Sequence, residues 1–252
     1  MSGYVPTLPA SEHGQQPCPL GLCDGSGFLV DETTNTATDC RCRPTRIAKL
    51  RTASLEGRVP KRYRGVSFDR SPVPNMPEPV VAEVRRYVRN LNTHLDAGRG
   101  LWLVGDLGTG KTTLAMIVSK AAIDAGRSVA IYSLPRLLSV IRGSMEAEGG
   151  MLLFLERLAA VDLLHIDDLG AENTTDWVLE QLYSIVNTRY EDERAMIVTT
   201  NLPYEDLIKQ LGERTVSRLV AICGDHYLPL YGADERLPIR HDREELGTAR
   251  SA

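Results

Sequence analysis

The sequence predicts an α/β fold in which about five parallel strands are flanked by helices, and three features carry this prediction. The stretch from Gly105 to Thr112 fits the pattern G-x-x-x-x-G-K-[ST] and lies between a short apolar run and an amphipathic helix. Asp167 and Asp168 end a second apolar run. Further apolar runs alternate with helical patterns, which is typical of a parallel sheet covered by helices.

Length and composition limit the possible classes of protein. The chain has 252 residues, of which 42% are hydrophobic and 25% charged, as is ordinary for a globular protein. Its net charge of −4 gives no global signal for a nucleic-acid partner. Residues 1–16 lack the pattern of a signal peptide, and no apolar run approaches the roughly 20 residues of a membrane span. These features predict a cytoplasmic protein with no membrane partner.

Changes in composition along the chain predict four segments. Residues 1–17 are polar and are expected to be disordered. Residues 18–58 are expected to form a cysteine-rich module with a basic linker, and the core is expected to span residues 59–232. Residues 233–252 are charged, have little to bury, and are expected to form a flexible tail.

Four of the five cysteines, Cys18, Cys23, Cys40 and Cys42, fall within twenty-five residues. They form a C-x4-C pair and a C-x-C pair separated by a hairpin-sized stretch, so the four thiolates can surround a zinc ion tetrahedrally. Free thiols in a mobile arm are the alternative, because disulfides are rare in the cytosol. Cys223 stands alone and is predicted to be a small buried hydrophobe.

A basic stretch follows the cysteines. Between positions 41 and 70, ten basic residues are accompanied only by Glu56 and Asp69. Such a cationic arm suits contact with a phosphate backbone or with an acidic partner, and a solvated linker is an equal alternative. Residues 59–68 carry apolar and aromatic side chains just before the first core helix. We expect them to form a lid over an adenine ring.

The glycine-rich stretch is predicted to be a phosphate-binding loop, because a strand precedes it and a helix follows it. Its glycines allow backbone N–H groups to surround a triphosphate, and the helix N-terminus adds a positive dipole end. Lys111 is expected to contact the β- and γ-phosphates, and the Thr112 hydroxyl to bind Mg²⁺. The nucleotide-binding residues are predicted to be Gly105, Asp106, Leu107, Gly108, Thr109, Gly110, Lys111, Thr112 and Thr113.

The periodicity of apolar residues predicts the elements around this loop. They are a helix over 80–97, a strand over 128–132, and two helices over 134–147 and 151–160 that are separated at Gly149-Gly150. Residues 151–155 at the start of the last helix are markedly apolar. They are interpreted as part of the core, with an inserted element that meets a partner as the alternative.

Asp167 and Asp168 end a predicted buried strand, at the edge where parallel α/β sheets bind their ligands. Asp167 is expected to hold Mg²⁺, directly or through water, and Asp168 to act as the general base for the attacking water. His165 is predicted to point away from its acidic neighbours by strand alternation and to be structural.

Three further polar residues are candidates downstream of a predicted helix over 174–190. Asn201 ends the predicted strand 195–201 and is expected to contact the γ-phosphate or the lytic water; a turn residue before Pro203 is the alternative. Arg214 and Arg218 lie one turn apart on the next predicted helix and suit transition-state charge on a phosphoryl group in a neighbouring subunit. A salt-bridged helix face is the alternative. A last strand is predicted within 226–231.

These motifs together resemble the DnaC/IstB-like branch of the AAA+ ATPases, which contains replicative helicase loaders and transposition helper ATPases. The resemblance covers roughly residues 18–232 and is carried by the following segments: Gly105–Thr113, Leu163–Glu172, Asn187–Tyr190 leading to Ile197–Leu202, and Gly212–Arg214 through Ser217–Leu219. It implies an AAA+ core that binds ATP and Mg²⁺ through its two Walker motifs, with no separate lid domain. It also implies that Asn201 is sensor I and that Arg218 is the trans finger, with Arg214 as the alternative finger or a second sensor.

The resemblance implies an ATP-dependent loader that assembles on single-stranded DNA and helps to deliver a DnaB-type replicative helicase. A cysteine-rich module commonly precedes the core of related loaders, although here the first cysteine pair is wider than the usual C-x2-C. The alternatives are an IstB-like transposition helper and a nucleotide-controlled DNA-binding adaptor. ATP hydrolysis is expected to be slow, and to be stimulated by assembly or DNA, because Asp168 is one methylene shorter than the glutamate of many AAA+ enzymes.

Overall fold

The computed structural model describes residues 18–31, 33–34, 36–43, 59–145, 149–170 and 175–232. The predicted disordered N-terminus, most of the basic linker and the predicted C-terminal tail lie outside these residues. The chain divides into two units, 1–51 and 52–252.

The N-terminal unit contains a two-stranded antiparallel hairpin. β1 (Phe28–Asp31) pairs with β2 (Thr36–Asp39), with Phe28 opposite Asp39. The connecting turn begins at Asp31, whose Oδ1 accepts hydrogen bonds from the backbone N–H and the hydroxyl of Thr33, at 2.9 and 2.6 Å. The hairpin spans the stretch between the two cysteine pairs, which the sequence predicted to be of hairpin size.

The second unit is built on a parallel sheet of five strands, which confirms the predicted fold class. The strands are β3 (Leu101–Gly105), β4 (Val129–Ser133), β5 (Leu163–Asp167), β6 (Ala195–Thr200) and β7 (Tyr227–Leu230). Their order in the sheet is β4-β5-β6-β3-β7. Since β3 and β5 both flank β6, their carboxyl ends lie at one edge, on either side of the end of β6.

Eight α-helices are described in this unit. They are α1 (Glu78–Arg89), α2 (Leu91–Asp96), α3 (Lys111–Asp124), α4 (Leu134–Ser144), α5 (Gly150–Ala160), α6 (Asp176–Glu191), α7 (Tyr204–Leu211) and α8 (Glu213–Cys223). Helices α1 to α3 pack on one face of the sheet and α4 to α8 on the other. Strand alternation separates these two layers: Leu101 and Leu103 of β3 face the first, Trp102 and Val104 the second.

The helices differ from the sequence predictions in three places. The helix predicted over 80–97 is interrupted at Asn90, and two helices replace it. Helix α7 was not predicted at all. In α5, Leu152 and Leu153 are 63% and 52% exposed, so the interpretation of residues 151–155 as core is wrong for these two positions. The rest of this apolar run, including Phe154, packs against the core as expected.

Arg189 of α6 organises the amino-terminal edge of the sheet. Its side chain is 1% exposed, and its guanidinium donates hydrogen bonds only to backbone carbonyls. The acceptors are Leu158, Ala159, Val161, Asp162 and Ala195. These residues end α5, lead into β5 and begin β6, so one side chain joins three elements.

No separate helical domain follows β7 within the described residues, which end at Gly232. None of the described helices is long and apolar enough to cross a membrane.

Candidate nucleotide and metal sites

The predicted phosphate loop lies between β3 and α3, where close contacts require its glycines. Gly105 has φ 139°, and a Cβ atom there would lie 1.8 Å from the carbonyl oxygen of Leu230. Gly110, the N-cap of α3, has φ 92°, and its Cβ would lie 1.9 Å from Cε of Met76. Side chains at these positions would therefore displace β7 on one side or Met76 on the other.

Asp106 ties the loop to the last strand. Its backbone N–H donates to the carbonyl of Leu230 at 3.1 Å, and its carboxylate accepts from the backbone N–H of Gly232 at 3.1 Å. Its own carbonyl accepts a hydrogen bond from the hydroxyl of Thr109 at 2.9 Å. The loop is thus anchored to β7 and to the residues that follow it.

Lys111 lies within the loop rather than in solvent. It is 5% exposed, and its Nζ atom donates to the carbonyl oxygens of Gly105 at 2.8 Å and Asp106 at 2.5 Å. A buried ammonium among backbone carbonyls and next to a helix N-terminus is a site for a multiply charged anion.

The phosphate loop and the acidic strand end are in contact. The hydroxyl of Thr112, in the first turn of α3, donates to Oδ1 of Asp167 at 2.9 Å. This contact reaches past the end of β6, which separates β3 from β5. A hydroxyl and a carboxylate in contact are hard oxygen ligands, the class that Mg²⁺ prefers, so these two residues fit the predicted magnesium site.

Asp167 is stabilised as a carboxylate. Burial alone would raise its pKa, but the nearby His165 and the hydroxyl hydrogen bonds from Thr199 and Thr112 hold the pKa of Asp167 below its ordinary value. The Thr199 hydroxyl lies 2.7 Å from Oδ1 of Asp167. The group is therefore ionised at neutral pH, as a cation ligand must be.

His165 does not point away from both acidic neighbours, and that prediction is wrong. His165 and Asp167 are two residues apart on one strand, so they share a face of the sheet, and Nε2 of His165 lies 3.9 Å from Oδ1 of Asp167. Its Nδ1 atom lies 2.9 Å from the hydroxyl of Ser119 on α3. Strand alternation would separate His165 only from Asp168, which lies three residues further along the chain.

Asp168 adopts a left-handed backbone conformation, with φ 56°. Its backbone N–H donates to the Thr199 hydroxyl at 2.9 Å, and the next residue, Leu169, donates to the Thr199 carbonyl at 2.8 Å. The sequence interpretation assigned no role to Thr199. The available signal was a polar Thr-Thr-Asn ending on an otherwise apolar strand.

Asn201 directly follows β6 at the same edge of the sheet and is partly exposed. The preceding Thr200 fixes this turn, because its hydroxyl donates to the carbonyl of Leu169 at 2.6 Å and accepts from the N–H of Leu202 at 3.1 Å. The structure therefore places the predicted sensor residue beside the turn that carries Asp168.

The two candidate arginines differ in their surroundings. Arg214 is exposed, whereas Arg218 is partly buried against α6 of its own chain. The Nε atom of Arg218 donates to Oδ1 of Asn187, and its guanidinium carbon lies 5.0 Å from the ring centre of Tyr183. Neither arginine pairs with a carboxylate among the described residues, so the salt-bridged alternative is not what the structure shows for them.

Residues of the predicted adenine lid are partly buried on the α1 side of the core. Tyr63 and Phe68 pack against this apolar layer, and the guanidinium of Arg85 lies 4.4 Å from the ring centre of Phe68. Met76, which the sequence interpretation passed over, is the apolar side chain that touches Gly110 of the phosphate loop.

The four N-terminal cysteines form one cluster, as predicted. Their sulfur atoms all lie within 4.8 Å of one another, with 4.0 Å between Cys18 and Cys40 and 3.6 Å between Cys23 and Cys42. Four sulfurs bound to zinc at about 2.3 Å would be about 3.8 Å apart, so the cluster fits a tetrahedral zinc ion. Cys223 lies apart from them, fully buried, as expected.

The backbone around Cys18 favours the thiolate form of this residue. Burial raises the pKa of Cys18, but hydrogen bonds from the backbone N–H groups of Cys23, Leu22 and Leu20 lower it to about 6. A pKa near 6 leaves Cys18 mainly deprotonated at neutral pH, which is the form that binds metals.

Comparison with known proteins agrees with this geometry. A family model described as IstB-like ATP binding protein matches residues 80–223. The phage-like element PBSX protein XkdC of Bacillus subtilis is 25% identical over 223 residues, which are 83% of this chain and 81% of that protein. A replicative helicase loader DnaC of Buchnera aphidicola is 30% identical over 142 residues, 56% of each chain, so this chain spans just over half the length of that relative.

A solved structure shows the same likeness. A crystal structure of the DnaC helicase loader superposes with a TM-score of 0.58 at 28% identity, over 69% of this chain and 100% of that one. The matched family segment contains the phosphate loop, both strand-end acids and both candidate arginines, but not the cysteine cluster.

Proposed function

Because the chain belongs to the family of IstB-like ATP-binding proteins, we propose that it is an ATPase that loads a DnaB-type replicative helicase onto single-stranded DNA. The contact between Thr112 and Asp167 at 2.9 Å is the observation that carries the ATP–Mg²⁺ part of this proposal. It joins the phosphate loop to the acidic strand end, which is the arrangement that a nucleotide–metal complex requires.

The chain's own residues have distinct tasks in nucleotide binding. The backbone N–H groups of the loop, with its positive-φ glycines Gly108 and Gly110, surround the phosphates. Lys111 exchanges its carbonyl partners for oxygens of the β- and γ-phosphates. Thr112 and Asp167 hold Mg²⁺, which supplies charge neutralisation for the transferred phosphoryl group when bound.

Hydrolysis is assigned to groups at the ends of β5 and β6. Asp168 takes a proton from the attacking water, and Asn201 orients that water or the γ-phosphate. An arginine from a second copy of the chain, Arg218 or alternatively Arg214, completes the site by stabilising transition-state charge. Turnover is then slow in the single chain, and assembly or DNA stimulates it.

The loader assignment is supported by three features beyond the contacts of the nucleotide site. The first is the similarity to proteins named replicative helicase loader DnaC, at 27–30% identity over about half their length. The second is the cysteine cluster, a compact module that suits docking on a helicase and fits a zinc ion. The basic residues between 41 and 70 suit contact with the DNA backbone. The cytoplasm is the compartment that keeps these thiols reduced.

Capture by the replicative helicase tests the proposal. The intact protein, immobilised in ATP and Mg²⁺, is expected to retain purified helicase, and deletion of residues 1–58 is expected to abolish this capture. If the intact protein captures no helicase, either with ATP or without nucleotide, it is not a loader. Capture of a transposase instead would identify a transposition helper.

ATP turnover separates the loader from the remaining rival. Phosphate release is measured with and without single-stranded DNA and over a range of protein concentrations, because assembly and DNA are both expected to stimulate it. ATP binding with negligible turnover in every condition would identify a nucleotide-controlled DNA-binding adaptor.

A further inference from the structure

We propose that Thr199 is a positioning residue for ATP hydrolysis, because its one buried hydroxyl fixes both strand-end acids, Asp167 and Asp168. The inference rests on the proposed ATPase function and adds to it a residue that touches neither nucleotide nor metal. Thr199 is fully buried at the end of β6, on the strand next to the acids.

The hydroxyl of Thr199 makes two hydrogen bonds of opposite sense. It donates its single proton to Oδ1 of Asp167 at 2.7 Å, and it accepts the backbone N–H of Asp168 at 2.9 Å. A hydroxyl has one proton to donate. Because Thr199 donates this proton to Asp167, its hydroxyl can only accept a hydrogen bond from Asp168. The position of one acid is therefore coupled to the backbone of the other.

This coupling matters because the backbone at Asp168 is strained. A left-handed conformation, here φ 56°, costs a residue with a side chain roughly 1 kcal/mol or more, and the surrounding structure must impose it. Two bonds from Thr199 do so: the hydroxyl holds the N–H of Asp168, and the carbonyl holds the N–H of Leu169 at 2.8 Å. The turn sets the direction of the Asp168 carboxylate. The Thr199 hydroxyl therefore positions the general base through the backbone of Asp168.

Thr199 also supplies a contact that does not depend on the nucleotide. Asp167 accepts a second hydroxyl hydrogen bond from Thr112, but Thr112 is assigned to Mg²⁺. Thr199 lies on β6 and has no such second task. It can therefore hold Asp167 in place throughout the ATP cycle, whereas the Thr112 contact changes with it.

The decisive variants remove the hydroxyl or retain it. Thr199→Val keeps the shape of the side chain but neither donates nor accepts, and Thr199→Ser keeps the hydroxyl. We expect Thr199→Val to lower kcat by about 10- to 100-fold and to raise KM only as far as the Mg²⁺-dependent ATP affinity falls, because misplacing a catalytic group by about 1 Å has an effect of this size on the rate. Thr199→Ser is expected to remain within about threefold of the wild type, since it restores the same bonds.

Two readouts are independent of turnover. Amide hydrogen exchange at Asp168 and Leu169 in the nucleotide-free protein should accelerate at least about tenfold in Thr199→Val and remain near wild type in Thr199→Ser. The gain in ATP affinity on adding Mg²⁺, compared with EDTA, should shrink in Thr199→Val, since Asp167 has lost a partner. Thr199→Ala serves as a second hydroxyl-free variant if Thr199→Val does not fold.

Ser128→Ala is the matched control. It removes a hydroxyl at the opposite, amino-terminal edge of the sheet, which donates to the carboxylate of Asp162 at 2.7 Å and accepts the backbone N–H of Asp162 at 2.9 Å. If it lowers kcat as much as Thr199→Val does, the effect is general loss of stability and the proposal is overturned. Unchanged exchange at Asp168 in Thr199→Val would overturn it as well. A wild type that binds ATP without turnover would defeat the proposed hydrolysis, and the exchange and Mg²⁺ measurements would then still decide whether Thr199 positions the two acids.

Discussion

The Nε atom of Arg218 lies 2.5 Å from Oδ1 of Asn187, so helix α6 holds an arginine of α8 by its side-chain amide. The same guanidinium faces the ring of Tyr183 and donates to the carbonyl of Arg214 at 3.2 Å. An arginine held in this way has lost part of its rotamer freedom, which lowers the entropy cost of any further contact that keeps this geometry.

Substitution of the two arginines should distinguish them. If Arg218 is the residue supplied in trans, Arg218→Ala should bind ATP normally and lower turnover by about 1,000-fold, the lower end of the range for arginine fingers. Mixing the Arg218→Ala and Lys111→Ala variants should restore turnover. The Lys111→Ala chain supplies the arginine, and the Arg218→Ala chain supplies the intact phosphate loop. Arg214→Ala is the matched variant, exposed and one turn away. Loss of turnover in Arg214→Ala alone would transfer the role to that residue.

Removal of the loop ammonium should abolish nucleotide binding. Lys111→Ala deletes a buried charge that is assigned to the phosphates, and we expect ATP affinity to fall roughly 100-fold or more. Lys120→Ala on the same helix is the control, because Lys120 is exposed and pairs only with Asp124 at 3.0 Å. Equilibrium titration with a fluorescent ATP analogue measures both. Full retention of affinity in Lys111→Ala would refute the site.

The two strand-end acids should separate binding from catalysis. Asp167→Asn is expected to lose most of the Mg²⁺-dependent gain in ATP affinity, because an amide has no charge for the cation. Asp168→Asn is expected to keep this affinity and to lower single-turnover phosphate release by about 100-fold or more, the usual contribution of a general base. The paired measurements are ATP titrations in Mg²⁺ and in EDTA, and rapid-quench hydrolysis. Normal hydrolysis by Asp168→Asn would remove it from the mechanism.

The cysteine cluster should hold metal in the purified protein. We expect about one zinc per chain by elemental analysis, and the simultaneous change of Cys40 and Cys42 to serine should reduce this to near zero. The same double variant should also lose capture of the helicase while it retains ATP binding, since the core folds around its own sheet. Cys223→Ala should keep the metal. A preparation without metal and with a fully folded N-terminal unit would contradict the assignment.

Arg189 should be a large contributor to stability. Arg189→Leu leaves several buried carbonyl acceptors without donors, each costing about 1–3 kcal/mol, so we expect the free energy of unfolding to fall by about 3 kcal/mol or more. Arg189→Lys should recover only part of this, because an ammonium has three donors and no planar fork. Arg194→Ala, a partly exposed neighbour, should change it by less than about 1 kcal/mol. Denaturant unfolding measures all three, and a small effect of Arg189→Leu would show that water replaces the side chain.

The elements that the sequence predicted well are those whose signal is local. The phosphate loop depends on glycines at fixed spacing, and the five strands are short apolar runs between helical patterns. Helix α7 was missed although Leu207 and Leu211 have helical spacing and acidic residues follow Pro203. The polar end of β6 was interpreted as a contact to the nucleotide, with a turn before Pro203 as the alternative, and neither interpretation considered a helix that starts after Pro203.

The contacts that were missed depend on strand register. Thr199 reaches Asp167 and Asp168 only because β5 pairs with β6 so that Ile166 lies opposite Val198. A shift of one residue would turn the hydroxyl to the other face. The proximity of Met76 to Gly110 likewise joins segments 34 positions apart. No pattern within one segment specifies such pairs. The two-residue period that places His165 beside Asp167 was available, but it was misapplied when both acids were predicted to lie away from His165.

The hydrogen bonds that join Asp106 to Leu230 and Gly232 couple the edge strand β7 to the phosphate loop. The attachment of β7 therefore contributes to the affinity of the loop for its ligand. β7 is an edge strand with one neighbour in the sheet, β3, so it can detach without separating any other pair of strands. A nucleotide that needs the loop in its described shape must therefore favour the attached form of β7. By thermodynamic reciprocity, a partner that stabilises or destabilises the attached form of β7 changes the nucleotide affinity of the loop by the same factor as the nucleotide changes the affinity for that partner.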